Sequence, residues 1–184
     1  MRWKSCATLV VGGLVGLLVV LLVAGYWAGA FNRVHLETTR RGPYRVACVP
    51  NEGSYDEIAE AIRRAEELLA EQGLTGQVAC GLYYDRPGEA PDEELRSKGG
   101  HVVDERVEVE PPLETVDIPR RRVLLATFEG QPNLARARIA LEVDDWFDGH
   151  RSRPGAPIIE FYGEGSVAVE VPLVEPTGAP ESGR

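Results

Sequence analysis

The order of apolar and helical patterns between residues 44 and 173 constrains the fold more than any other feature of this 184-residue chain. A short apolar segment, a helical segment and two further short apolar segments occur in turn, and the same order then occurs again. This predicts an α+β domain in which a duplicated strand–helix–strand–strand unit forms an antiparallel sheet with two helices on one face. The other sheet face would be free or would curve into a cleft.

The two helical segments have the clearest patterns. Ser54 and Glu57 form a capping box, and the helix after them carries one apolar stripe that ends at Gly73. A second helix is predicted over 133–148, with two adjacent apolar lines, one through Leu141 and one through Ile139. Strands are predicted at 44–50, 77–84, 101–104, 107–109, 122–128, 157–162 and 166–173, and the last two form a hairpin.

An uncharged, apolar run precedes this domain, because no charged side chain lies between Lys4 and Arg33. About 20 apolar residues in a helix cross the hydrocarbon core of a bilayer. The predicted organisation is therefore a flank at 1–5, a transmembrane helix at 6–31, a linker at 32–43, the domain at 44–175 and a disordered tail at 176–184.

Two aspects of this segment stay open. A cleaved signal peptide is the alternative to an anchor, although the run exceeds the usual apolar length of about 7–15 residues. Basic residues nearly balance on the two sides of the run, so they do not decide on which side of a membrane the domain lies.

Charge and cysteine usage exclude several classes of function. The chain has 20 Lys and Arg against 29 Asp and Glu, and an acidic chain without a basic stripe is not expected to bind nucleic acid. No Cys/His cluster has the spacing of metal ligands, so neither a metal nor a cofactor is predicted. Cys48 and Cys80 lie in predicted strands; buried free thiols are expected, while a disulfide would need an oxidising compartment and neighbouring strands.

Glu160 is the most unusual residue of the domain, because it lies in the middle of an otherwise apolar strand. An ionised carboxylate rarely stays in such a place without a partner. It either pairs with an arginine such as Arg122, or points to solvent, or forms the floor of a ligand pocket. A carboxylate surrounded by aromatic faces would suit a planar organic cation.

The candidate wall residues of such a pocket are all aromatic: Tyr162, Tyr83, Tyr84, Tyr55 and Trp146. Tyr83 and Tyr84 alternate in direction along a strand, so at most one of them would face a given cleft. Trp146 is more often a core residue than a pocket wall in this position of a helix.

Several short segments, taken in order, resemble the GyrI-like (AraC effector-binding) small-molecule-binding domains. The matching segments are Gly53-Ser54-Tyr55, Gly81-Leu82-Tyr83-Tyr84-Asp85-Arg86-Pro87, Leu95-Arg96, Trp146 and Pro157-Ile158-Ile159-Glu160-Phe161-Tyr162. The resemblance implies the duplicated α+β unit and a ligand pocket with a glutamate on the penultimate strand, a position that Glu160 matches.

The apolar run adds a narrower resemblance, to a membrane-anchored group that includes the animal testis-expressed reticulophagy receptor. That receptor has a long disordered tail with an aromatic-x-x-aliphatic motif, which the residues after Glu175 lack. The resemblance therefore implies the arrangement of anchor and domain but not the receptor role.

Three functions follow from these features. The first is a single-pass membrane protein that binds, and so sequesters, small amphipathic or cationic aromatic molecules over Glu160. The second is a hydrolase of strained electrophilic molecules that uses Glu160 as its general base. The third is a membrane-tethered adaptor with a vestigial pocket. Whether the chain is an enzyme is left open.

Overall fold

The computed structural model describes residues 2–27, 32–86, 88 and 91–175. The helices are α1 (Arg2–Trp27), α2 (Ile58–Glu71) and α3 (Pro132–Asp148), with short 3-10 turns at Tyr55–Glu57 and Asp92–Glu94. The strands are β1 (His35–Arg41), β2 (Tyr44–Glu52), β3 (Val78–Tyr83), β4 (Arg96–Val103), β5 (Glu114–Ile118), β6 (Arg121–Glu129), β7 (Arg153–Pro154), β8 (Ile158–Gly163) and β9 (Ser166–Val174). The predicted tail at 176–184, the residues 28–31 and Pro87 lie outside the described residues.

One antiparallel sheet organises the domain, in the order β1-β6-β9-β8-β3-β4-β2-β5, with β7 beside β9. The predicted mixed class, a large antiparallel sheet with helices, is confirmed. The halves of the chain meet where β3 pairs with β8, and their strands follow the same pairing order, β2-β4-β3 and β6-β9-β8. That the halves are copies of one unit stays a prediction, because a pairing order does not compare their backbones.

The two helices of the domain bury one face of the sheet. The apolar stripe of α2 is buried as predicted, from Ile58 to Leu69. On α3 the buried side chains are Ala135, Ile139 and Val143, which include the predicted line through Ile139. Leu141, on the other predicted line, is 73% exposed. Burial therefore selected one of two adjacent apolar lines, and the sequence pattern alone did not distinguish them.

The opposite face of the sheet buries a second apolar cluster that consists of strand residues: Val46, Cys48, Cys80, Leu82, Ile118 and Ile159. Tyr44 and Phe161 meet edge to face at its border, with ring centroids 5.4 Å apart. Side chains on one sheet face reach each other in this way only if the sheet curves. The face without helices is thus curved, but the cleft of about 730 Å³ lies on the other face, between the sheet and α3.

The predicted linker at 32–43 is wrong over most of its length, because β1 pairs with β6 from His35 opposite Thr127 to Arg41 opposite Arg121. β1 is a polar edge strand in which only Leu36 and Thr39 are half-buried. An edge strand of this kind is held by backbone hydrogen bonds, which leave no apolar alternation in the sequence.

Two more assignments differ in the middle of the chain. β4 begins at Arg96, ahead of the strand predicted at 101–104, and residues 107–109 are irregular instead of forming the predicted strand. The strand that the sequence pattern missed there is β5, which pairs with β2 at the sheet edge.

A buried charged cluster ties β1 to the sheet. The carboxylate of Glu170 is completely buried, and its Oε1 accepts hydrogen bonds from Arg41 Nε at 2.8 Å and from the Tyr44 hydroxyl at 2.9 Å. A buried ion pair of this type is costly to break from one side, because the remaining charge loses its partner. The cluster therefore fixes where the edge strand joins the domain.

The N-terminal segment forms α1, but among the residues that the structure describes no helix combines the length and apolar character needed to span a membrane. The predicted transmembrane helix at 6–31 is therefore not found.

Cys48 and Cys80 are buried free thiols, as expected. Both residues pair with Gly100 from opposite sides, because β4 lies between β2 and β3. The Cα atoms of the two cysteines are therefore two strand spacings apart, each of about 4.8 Å. This distance exceeds the Cα separation that a disulfide can span. Burial raises the pKa of each thiol to about 12, so both are protonated at neutral pH.

Candidate functional site

A cleft of about 730 Å³ lies on the helix-bearing face of the sheet, between the central strands and α3. Its apolar lining comes from both walls: Ile139, Ala140 and Val143 on α3, and Ile158, Val169 and Val171 on the sheet. A mainly apolar cleft of this size, with a few polar groups, is typical of sites for small organic molecules.

Glu160, in the middle of β8, is one of the residues that line this cleft. Gly81 is its neighbour on β3 and Val169 its neighbour on β9. A Cβ atom on Gly81 would lie only 3.0 Å from the hydroxyl oxygen of Tyr83. The missing side chain at Gly81 thus gives Tyr83 the space to lie over β3 and reach Glu160.

Two tyrosine hydroxyl groups converge on one oxygen of Glu160. Oε2 accepts hydrogen bonds from Tyr83 at 2.9 Å and from Tyr162 at 2.5 Å, and the two hydroxyl oxygens are 3.0 Å apart. Strands β3 and β8 are neighbours, so this cluster follows directly from their register.

Arg136 on α3 completes the cluster. Its Nε lies 3.3 Å from Glu160 Oε2, and its Nη2 donates a hydrogen bond to the Tyr162 hydroxyl at 3.0 Å. Arg122, the arginine that the sequence analysis named as a partner, instead pairs with Glu175 at 3.0 Å. Glu160 therefore has an arginine partner, and it also lines the cleft.

The sequence analysis missed Arg136, although a signal for it exists. Arg136 precedes Ile139 and Ala140 by one helical turn, and residues three or four apart lie on the same side of a helix. A cation on the sheet-facing side of α3 is as unusual as a carboxylate in an apolar strand. In the folded domain these two charged groups, Arg136 and Glu160, form an ion pair.

The pKa values of the cluster follow from burial and from the charge of Glu160. Burial, with the nearby carboxylate, raises the pKa of Tyr83 and raises that of Tyr162 to about 12. Burial alone would lower the pKa of Arg136, but its hydrogen bond to Tyr162 and the charge of Glu160 raise it. The tyrosines are therefore neutral donors and Arg136 is a cation at physiological pH.

Of the predicted wall residues, Tyr83 and Tyr55 line this cleft, whereas Tyr162 bonds to Glu160 but is not among the lining residues. The ring of Tyr55 meets the ring of Tyr83 edge to face with centroids 4.8 Å apart, and the Tyr55 hydroxyl donates to the Asp85 carbonyl oxygen at 2.7 Å. Tyr84 points to the opposite sheet face and borders a smaller adjacent depression. Trp146 stacks on His150 and packs against the core under α3, so it is not brought to the cleft.

Two ion pairs hold the rim of the cleft. Asp85 accepts hydrogen bonds from the guanidinium and the backbone of Arg96, which lower its pKa. Arg86 in the same loop bonds to Asp144 on α3 at 3.0 Å. The second pair links the loop after β3 to the helix that forms the opposite wall.

Comparison with known proteins agrees with this fold. A family model described as a GyrI-like small molecule binding domain matches residues 37–172. No relative among curated proteins matches. The comparisons thus leave the narrower membrane-anchored group, with the reticulophagy receptor, as a prediction.

Similar solved structures share the fold at low sequence identity. The C-terminal domain of EcmrR has a TM-score of 0.65 at 13% identity, with 77% of this chain and 98% of that domain covered. This chain spans only 58% of the EcmrR chain in a structure with DNA. An integron cassette protein of Vibrio cholerae has a TM-score of 0.59 at 12% identity, with coverage of 78% and 99%. SAV2435, solved with tetraphenylphosphonium, has a TM-score of 0.54 at 12% identity, with coverage of 76% and 94%.

Replacement of Tyr162 by Phe tests the electrostatics of the cluster. The hydroxyl has a pKa of about 12 in the folded protein and about 10 in an unfolded chain. Between these pH values the unfolded chain releases the proton and the folded chain keeps it, so stability falls as pH rises through this window.

We expect Tyr162→Phe to lose about 1–2 kcal/mol of stability at pH 7, because Glu160 loses a donor. Between pH 10 and 12 its stability should fall by about 1–3 kcal/mol less than that of the unmodified chain. Urea denaturation at a series of pH values measures both effects. Parallel pH profiles of the two proteins would contradict the assignment.

Proposed function

The chain belongs to the family of GyrI-like small-molecule-binding domains, and we propose that its cleft binds small amphipathic molecules with aromatic rings. The observation that carries this proposal is the cleft of about 730 Å³, which has mainly apolar walls and is lined by the half-buried carboxylate of Glu160. Apolar walls stabilise a ring system by burial, and one polar group at the floor orients it.

The rim and floor supply the contacts that such a ligand needs. The edge-to-face pair of Tyr55 and Tyr83 offers an aromatic surface at one end of the cleft. At the floor, the hydrogen bonds and the ion pair of Glu160 all go to Oε2, and Oε1 has no partner among the residues that the structure describes. Oε1 is therefore available as an acceptor for an N–H or O–H group of the ligand.

The charge of the ligand does not follow from Glu160 alone. The sequence analysis favoured cationic aromatic molecules because Glu160 was expected to face the pocket as a bare carboxylate. Arg136 compensates that charge at a distance of 3.3 Å. The relative solved with tetraphenylphosphonium supports the size class of the ligand and provides a probe for this site.

Two matched substitutions on α3 test binding in the cleft. Ala140 lines the cleft, whereas Ala137 is exposed on the same helix and does not line it. We expect Ala140→Trp to weaken binding of the neutral aromatic dye Nile red by at least about tenfold, because the indole fills the space for a ring. Ala137→Trp adds the same apolar area at the surface and should leave the affinity unchanged.

Fluorescence titration measures both affinities, and melting temperatures show that both variants are folded. An equal loss of affinity in the two variants, or no loss in either, would place the dye outside the cleft and contradict the proposal.

Hydrolysis of strained electrophiles is the second candidate function. A carboxylate and two tyrosine hydroxyl groups lie within 3.0 Å of one another at the floor, which favours acid–base chemistry. In such a reaction Glu160 takes a proton from water, and the water oxygen bonds to a carbon of the strained ring. The ring bond breaks, and a tyrosine hydroxyl donates a proton to the leaving atom.

Turnover of a cyclopropane-bearing dienone distinguishes this candidate from binding. We expect more than one product molecule per protein molecule if the chain is a hydrolase, and a loss of about 100-fold or more in Glu160→Gln, because general bases contribute on this order. Product analysis by chromatography provides the count. Formation of no more than one equivalent of product rejects the enzyme and leaves the binding proposal intact.

The volume of the cleft argues against the adaptor with a vestigial pocket. Sites for small molecules have volumes of about 300–1,000 Å³, and this cleft lies within that range.

A membrane location is a separate part of the proposal. It rests on the uncharged run in the sequence and on the leucine and valine side chains between Leu14 and Val23, which are 51–63% exposed. A row of exposed apolar side chains needs an apolar environment. A domain held there would meet amphipathic ligands as they cross the bilayer.

Alkaline carbonate extraction tests the membrane location. We expect the full chain to stay in the membrane fraction and the variant Leu18→Asp/Leu21→Asp to be released, because each charge at the centre of a span costs about 2.5–3.5 kcal/mol. Release of the unmodified chain, or a mature chain without residues 1–30 by mass spectrometry, would contradict an anchor.

A further inference from the structure

Arg136 is the group that decides which charge the cleft accepts. We infer that it makes the floor electrically neutral and directs the site toward uncharged aromatic molecules with one hydrogen-bond donor, at the expense of cations. This inference rests on the proposed binding function and names its ligand class.

One oxygen of Glu160, Oε2, already has close contacts within the protein. Glu160 Oε2 receives Tyr83 at 2.9 Å, Tyr162 at 2.5 Å and the Nε of Arg136 at 3.3 Å. The two hydroxyl donors fill the roughly two lone-pair directions of this oxygen, and the Nε of Arg136 lies beside it as an ion-pair partner without a hydrogen bond. A ligand cation cannot reach Oε2 unless Arg136 moves away.

Arg136 is more exposed than Glu160. The side chain of Arg136 is 30% exposed and that of Glu160 is 14% exposed, and both line the cleft. A molecule that enters therefore meets the guanidinium more readily than the carboxylate. Between the apolar walls a second cation near Arg136 is repelled, since like charges are weakly screened there.

The remaining charges of the cleft lie at the rim. Arg86 is paired with Asp144, and Asp85 is paired with Arg96. Among the ion pairs of the described residues none involves Asp56, the third rim carboxylate. Asp56 is exposed in the 3-10 turn before α2, where solvent screens its charge, so it does not replace the negative charge that Arg136 cancels.

The other oxygen of Glu160, Oε1, can accept a hydrogen bond from a ligand. Oε1 has no hydrogen-bond partner among the described residues, while a neutral N–H or O–H group can donate to it without displacing Arg136. The Glu160–Arg136 pair stays intact in that arrangement, so an uncharged donor gains a hydrogen bond and avoids the repulsion that a cation meets.

Three probes of similar size and different charge test this inference. Tetraphenylphosphonium and tetraphenylborate share one shape with opposite charges, and triphenylmethanol is neutral with one O–H donor. In the unmodified chain we expect triphenylmethanol to bind at least about tenfold more tightly than tetraphenylphosphonium, and tetraphenylborate to bind no more weakly than tetraphenylphosphonium. Competition against Nile red measures all three affinities.

Substitution of Arg136 tests its role directly. Arg136→Met should raise the affinity for tetraphenylphosphonium by about tenfold or more, with a change of less than about threefold for triphenylmethanol. Arg136→Met/Glu160→Gln should remove that gain, since no charge remains at the floor. Arg136→Lys keeps the cation and should keep the original preference.

Arg64→Met is the matched control, because Arg64 is exposed on α2 and does not line the cleft. It removes the same charge and should change no affinity by more than about twofold.

Two results would overturn the inference, and the first of them does not depend on whether the Arg136→Met variant folds. One is a preference of the unmodified chain for tetraphenylphosphonium over both other probes. The other is an unchanged tetraphenylphosphonium affinity in a folded Arg136→Met protein. Failure of every probe and of Nile red to bind the unmodified chain would instead overturn the proposed function itself.

Discussion

The antiparallel pairing of β3 with β8 is the constraint on which the rest of this domain depends. It joins the two halves of the sheet and sets Gly81 opposite Glu160. A shift of this register by one residue would turn Glu160 to the curved apolar face and Phe161 toward the helices. The register is therefore fixed by both sheet faces at once, since each buries its own apolar cluster.

A carboxylate at the centre of a buried sheet determines what must surround it. An ionised group in such a place is stable only with hydrogen-bond donors and an opposite charge. Here the neighbouring strand provides Tyr83, the same strand provides Tyr162, and α3 provides Arg136. These contacts all go to Oε2, so that Oε1 has no hydrogen-bond partner among the described residues.

The domain has two clusters of charged and polar side chains, one around Glu170 and one around Glu160. Glu170 is enclosed completely and joins the edge strand β1 to the sheet through Arg41 and Tyr44. Glu160 is buried less and borders an open cleft. Both are carboxylates in apolar strands, so the sequence pattern around them is similar. Their surroundings differ, because Glu160 lines the cleft and Glu170 does not.

The sequence by itself determined the two helices of the domain, most strands and the terminal hairpin, because these follow from local periodicity, and it singled out Glu160 as a charge in an apolar strand. It did not reveal β1 or β5, since polar edge strands are held by backbone hydrogen bonds to distant partners. Only the tertiary structure decided that Tyr55 and Tyr83 reach the cleft while Tyr84 and Trp146 do not, and that Arg136 is the partner of Glu160. These outcomes depend on which face each element buries and on how α3 lies across the sheet, and packing between residues far apart in the chain sets both.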